Sequence, residues 1–209
     1  MKKQFFLILI LLLLFSSNLS KASDNYPFSV GVGLMAKSGI NVASVPDGLQ
    51  NAFSIYEGVD IAALLYLPMS DDTRTGVLLE AAYTNVPFGL KYYGDPKYNG
   101  NAVQRWLNIS VSVMLSGVIV GLDFGFDAFK DKYDVFFDNT QTVPLSKNDF
   151  NANLKVGGIV PVYESQLGCL NFYIMGTYNI TGIDYRGDYT YNPVTLGLGL
   201  NYLFNLEGF

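Results

Sequence analysis

The sequence predicts an all-β fold: eight antiparallel strands in up-and-down order, closed into a transmembrane β-barrel. Three observations carry that prediction. Apolar residues recur with period two in eight separate stretches, as in strands whose side chains leave alternately on two faces. The connections between those stretches alternate long, short, long, short, long, short, long, the pattern of short turns at one end of a membrane barrel and longer loops at the other. The faces opposite the apolar ones hold mainly Gly, Ser, Asn, Thr and Ala, whereas a water-facing surface carries charge at about a quarter or more of its positions. Lipid on one side and a narrow, side-chain-filled lumen on the other account for all three.

Composition narrows the class. The 209 residues include 15 Phe, 15 Tyr and 21 Gly, with a net charge of -5, one Cys and no His. Charged residues make up 15%, below the roughly 25% of soluble domains. Mild acidity argues against nucleic acid, which demands a basic patch. The lone Cys169 has no internal disulfide partner. Met1-Lys2-Lys3-Gln4 followed by the apolar segment Phe5–Phe15 reads as a signal peptide, with cleavage expected after Ala22. The expected organisation is therefore a signal peptide over 1–22 and a barrel domain over 23–209. No later stretch reaches the ~18 continuous apolar residues of a spanning helix, so entry into a membrane would be by strands.

In chain order, the first predicted strand is Phe28–Ala36, with Val30, Val32 and Leu34 against Gly31 and Gly33. A loop rich in Gly, Asn and Ser is expected over Ser38–Glu57. The second strand, Gly58–Leu67, sets Val59, Ile61, Ala63 and Leu65 against Asp60, Ala62 and Leu64, and Pro68–Thr75 turns back. The third is Val77–Thr84, and a long loop is expected over Asn85–Gln104. The fourth, Trp106–Leu115, joins the fifth, Val118–Asp127, through the tight turn Ser116-Gly117. Lys130–Asp149 is a third long segment. Phe150–Val162 and Leu170–Tyr178 form the next pair, and Thr181–Pro193 is the last long loop. Val194–Phe204 closes the set, with Leu196, Leu198, Leu200, Tyr202 and Phe204 on one face and Thr195, Gly197, Gly199 and Asn201 on the other.

Eight strands with this polarity, ending in Leu-x-Leu-x-Leu-x-Tyr-x-Phe, resemble the small eight-stranded outer-membrane β-barrel proteins of OmpA/OmpX and PorT-like type. The resemblance spans residues 23–209 and rests on strand architecture rather than on an invariant motif. It implies residence in the outer membrane of a Gram-negative-type bacterium. It also implies contact with outer-membrane lipids and lipopolysaccharide, and recognition of a terminal aromatic by the barrel assembly machinery. Tyr202, Phe204 and Phe209 are the candidates for that signal, Phe209 lying out of phase with the other two. Enzymatic barrels resembling lipid A deacylases, palmitoyltransferases, phospholipases and omptins use a His, which this chain lacks, so no enzymatic activity and no cofactor or metal are expected.

Three sets of residues stand out as candidate sites. Asp60, Glu80, Asp123, Asp127 and Lys155 fall on the lumen face. Lys155 is expected to pair with one or more of the carboxylates, because a buried charge is tolerable only when paired. Solvation at the rim is the alternative for some of them. In the long loops, Tyr92, Tyr93, Phe136 and Phe137 are candidates for contact with an extracellular ligand. The long loops also hold Phe88, Tyr98, Tyr133, Tyr185, Tyr189 and Tyr191, and those near strand ends suit an interfacial girdle. Arg186-Gly187-Asp188 spells an adhesion tripeptide, whose bland reading is a polar turn. The leading functional reading is a non-enzymatic barrel with four long external loops, structural or adhesive in role. A narrow channel for ions or small solutes is the second, since Gly31, Gly33, Gly121, Gly125, Gly197 and Gly199 offer lumen space. A soluble periplasmic lipocalin-like binding barrel is the third.

Overall fold

A computed structural model describes residues 28–45, 47–69, 74–93, 100–126, 133–137, 141–142, 150–185 and 189–206. The expected signal peptide, Tyr98, Asp127, Arg186, Asp188 and Phe209 lie outside them. The described residues form strands β1 (Ser29–Asn41), β2 (Leu49–Ser54), β3 (Val59–Pro68), β4 (Thr75–Tyr92), β5 (Gly100–Leu115), β6 (Val118–Phe126), β7 (Tyr133–Phe137), β8 (Gln141–Thr142), β9 (Phe150–Ser165), β10 (Gly168–Asn179), β11 (Ile183–Tyr185), β12 (Tyr189–Tyr191) and β13 (Pro193–Asn205). Eight of these pair antiparallel in the order β1-β3-β4-β5-β6-β9-β10-β13, and β13 returns to β1, so the sheet closes into a ring. The closing seam runs the length of β1, from Ser29 opposite Asn205 to Asn41 opposite Pro193.

The turn end of the ring is tight. Ser116 and Gly117 both adopt positive φ, 48° and 91°, the conformation a two-residue hairpin needs to match strand twist. Between β9 and β10 the register shifts, so that Leu170 faces Tyr163 and Asn171 faces Pro161. The extra residue, Val162, makes a bulge beside Pro161, a site where proline's missing donor is tolerated.

Alternation sorts the side chains cleanly. On β1 the even residues Val30, Val32 and Leu34 are exposed while Ser29, Gly31, Gly33, Met35 and Lys37 are buried. On β13 Leu196, Leu198, Leu200 and Phe204 are exposed while Thr195, Gly197, Gly199, Asn201 and Leu203 are buried. The core therefore lies inside the ring and the outside is apolar. Toward the turn end the interior is filled by Leu64, Tyr66, Leu78, Met114, Ile119, Ile159, Cys169 and Leu203. The six glycines expected to offer lumen space do not open a passage. A Cβ at Gly199 would come within 2.5–2.7 Å of ring carbons of Tyr173, its cross-strand partner, and one at Gly197 would strike Met35. Gly31, Gly121 and Gly125 are likewise pressed by neighbours, and only Gly33 has ordinary room. Glycine here lets large inward side chains lie flat on the opposite strand, as aromatic residues do across glycine in sheets.

The loop end departs most from expectation. Ser38–Glu57 and Asn85–Gln104 were expected as loops, yet β1 continues to Asn41, β2 forms within the first, and β4 and β5 run on to Tyr92 and from Gly100. Beyond the end of β3, β2 takes its place between β1 and β4, pairing Gly39 with Ser54 and Leu49 with Tyr92. Beyond the end of β6, β7 takes its place beside β5, pairing Gln104 with Tyr133 and Gly100 with Phe137. The other two long segments hold β7, β8, β11 and β12. The outer half of β4 bends inward: Pro87 lies against the inward-facing Gly39 of β1, close to Thr195 of β13 and to Gly58. Residues Thr84–Leu90 are consequently buried on both faces.

Candidate functional site

The interior charges come together in one layer. Lys155 of β9 reaches Glu80 of β4 at 2.9 Å and Asp123 of β6 at 3.7 Å. Ser110 of β5 donates its hydroxyl to Asp123. Lys37 of β1 pairs with Asp60 of β3 at 2.6 Å. Strand alternation alone aims these five charged side chains, and Ser110, at the ring axis, and the closed sheet brings together strands distant in sequence. All are shielded from solvent, with the Lys37 and Lys155 side chains only 2% and 4% exposed. Removing one partner of such a buried pair leaves an uncompensated charge. Lys37 was missing from the sequence-derived cluster because the first strand was ended at Ala36. The alternation through Met35, Lys37 and Gly39 was the signal that would have included it.

The charged layer is tied to the bent hairpin. Asp60 also accepts the backbone N–H of Asn85, 3.2 Å, at the point where β4 turns inward. Asn85 donates its side-chain amide to the Glu57 carbonyl, 2.8 Å, and the Lys37 N–H donates to the Gly58 carbonyl, 2.8 Å. Arg105 of β5 reaches the Glu57 carboxylate at 2.6 Å. The short link between β2 and β3 thus fastens β1, β4 and β5 together. Above it Phe88 of β4 lies opposite Ala102 of β5 and its ring is 5.5 Å from that of Tyr191, an apolar plug in which Phe88 is 0% and Tyr191 1% exposed; Val103 and Trp106 of β5 are also buried. Phe88 and Tyr191, expected among the aromatics of the long loops at an exposed rim, are thus buried: Phe88 on the bent half of β4 and Tyr191 at the end of β12.

From the charged layer toward the loop end runs a chain of asparagines. Gly182 donates its backbone N–H to Asn179, Asn179 donates to Asn153 at 3.0 Å, and Asn153 donates to Asn151 at 3.2 Å. Toward the turn end, Asn171 donates to Asn201 at 2.9 Å and Cys169 lies 3.2 Å from the Asn171 side-chain oxygen. Arg74 and Glu164 pair at 2.5 Å near that end. Among the described residues no group of three His, Cys, Asp or Glu is placed to hold a metal ion.

Of the loop-contact candidates, Tyr92 and Tyr93 stand exposed, 46% and 69%, at the end of β4. The backbones of Phe136 and Phe137 lie in β7 opposite Asn101 and Gly100. Tyr202 and Phe204 face outward on β13 with their rings edge to face, 4.6 Å apart. Other outward aromatics gather toward the loop end, where Phe150 packs on Phe124 at 6.2 Å and on Phe126 at 5.7 Å. Among the described residues no helix is long and apolar enough to cross a membrane, a test that does not address strands. No protein-family model matches the chain, and no curated protein matches it in sequence.

Proposed function

We propose that the chain is an integral outer-membrane β-barrel, non-enzymatic, whose role is to present its loop end for contact or adhesion. The observation that carries this reading is its inverted polarity. Between the strand ends, each described Lys, Asp and Glu of the ring points inward, while Val32, Leu34, Ile61, Ile109, Val111, Leu154, Leu196, Leu198 and Leu200 are exposed outside. In water such a contiguous apolar surface would drive association. In a bilayer it is the lipid-facing band, and closure of the ring leaves no unpaired backbone edge in hydrocarbon. Outward aromatics near both ends suit the two headgroup levels. Lipids and lipopolysaccharide are the surroundings this implies, and β13 with Tyr202 and Phe204 is the segment offered to the assembly machinery.

The filled interior favours the contact role over a channel. The apolar turn-end packing, the paired charges and the plug around Phe88 lie in series along the axis. Membrane fractionation with heat-modifiable migration in detergent gels tests the location, and a soluble, unmodifiable protein would end the membrane reading. Planar-bilayer recording tests the role: silence is expected, and steady open conductance would transfer the assignment to a channel.

A further inference from the structure

We propose that the ring interior binds one proton at neutral pH, shared by the Glu80 and Asp123 carboxylates that face the single ammonium of Lys155. The first observation is how partners are divided. Asp60 has an ammonium to itself, that of Lys37 at 2.6 Å, and also accepts the Asn85 backbone N–H. Glu80 and Asp123 have one between them, that of Lys155 at 2.9 and 3.7 Å. Among the described residues the layer therefore sets three carboxylates against two ammoniums.

The second is where the other described cations lie. Arg74 and Arg105 pair with Glu164 and Glu57 away from the layer, and Lys91 is exposed at the outer end of β4. The remaining strands bring no charge: Ser110 of β5 donates to Asp123, and β13 offers Gly197 opposite Lys37. Tyr173 of β10 lies within electrostatic reach of Glu80 and Lys155, and a phenol is neutral in this range.

The third is enclosure. The Glu80, Asp123 and Lys155 side chains are 15%, 9% and 4% exposed, between the apolar turn-end packing and the plug around Phe88. Excess charge in a closed interior is costly and is removed by protonation. Loss of a proton from either lysine would deepen the imbalance, whereas one proton on a carboxylate cancels it. Because both carboxylates face one ammonium, the proton belongs to the pair rather than to either residue. The consequence is a fold sensitive to pH where little else titrates, since the chain has no His and Cys169 sits apart in the turn-end packing. In the unfolded chain both carboxyls ionise at about pH 4. Above that, and until the pair itself ionises, the native state holds one proton more than the unfolded chain. Unfolding releases that proton, so stability falls as pH rises through this window. The charge count depends on the closed interior and not on what surrounds the ring, so it is independent of the membrane reading.

The test is urea unfolding in a non-ionic detergent between about pH 6 and pH 8, where free carboxyls are already ionised. The unfolding equilibrium constant is expected to rise about tenfold per pH unit, the slope of one released proton. Glu80→Gln and Asp123→Asn each balance the layer without a proton, so each should flatten the profile. Lys155→Met leaves both carboxylates without their cation; a second proton then binds, and the slope should steepen to about a hundredfold per unit. A flat profile for the unsubstituted protein would overturn the proposal, and so would a slope that survives both neutral substitutions. Infrared spectroscopy of the folded, unsubstituted protein needs no variant to fold. It should show the carbonyl stretch of a protonated carboxylic acid at neutral pH, lost as the pair ionises on raising the pH. Its absence at neutral pH would overturn the proposal as well.

Discussion

The two ends of the ring are built on different principles. At the turn end the strands stop where their alternation stops, the connections are as short as two residues, and the interior is closed by side chains reaching in from the walls. At the loop end the strands overrun, exchange neighbours and fold back, and the interior is closed by backbone, the bent outer half of β4. Apolar packing by wall residues costs little chain and specifies register. Closure by a hairpin needs a tie, which the Glu57–Asp60 link supplies through Lys37, Asn85 and Arg105. The difference teaches where plasticity resides: the turn end is part of the cooperative ring, and the loop end is attached to it.

Substitutions can break or sharpen that contrast. The largest effect is expected between the two ends. Lys155→Met strands Glu80 and Asp123 and should cost about 3–5 kcal/mol in urea unfolding. Adding Glu80→Gln and Asp123→Asn should recover most of it. At the turn end, Leu203→Ala opens a cavity in the wall packing and should lower global stability by about 2–4 kcal/mol, with all strands losing exchange protection together. Phe88→Ala at the loop end should behave differently. Amide exchange should accelerate in the outer halves of β4 and β5 while the global midpoint moves by less than about 1 kcal/mol, because local opening is uncoupled from the ring. A global loss as large as that of Leu203→Ala would erase the distinction between the ends. Smallest is Arg105→Gln. Its partly exposed pair with Glu57 is worth about 0–1 kcal/mol, visible chiefly as faster exchange near Asn85.

Legibility in the sequence followed the same divide. Strands such as Trp106–Leu115 and Val194–Phe204 carry regular alternation, which Leu203 alone breaks in the second, because each residue has a single face and a single environment. The lumen positions of Asp60, Glu80, Asp123 and Lys155 could be read for that reason. The outer half of β4 could not. Asn85-Val86-Pro87-Phe88-Gly89-Leu90 has both faces buried, so period-two patterning vanishes, and Pro and Gly then look like loop punctuation. The proline sits against Gly39 and the glycine pairs with Ala52, tertiary reasons that no local window contains. Lys37 was lost because the first strand was bounded at Ala36, five residues short of its end at Asn41. The asparagine chain went unremarked because Asn at lumen positions has the same pattern whether or not the amides touch.

The seam between β1 and β13 has a consequence for how the molecule is made. Its partners are far apart in sequence, Val30 with Phe204 and Ile40 with Val194, so the pairing with the longest reach comes from the final strand. Until that strand docks, β1 and β10 each expose an unpaired edge beside an apolar surface, an arrangement prone to joining the wrong chain. Contacts of such separation also form slowly. The ring therefore stays open, with two bare edges, until residues near its end meet those near its beginning.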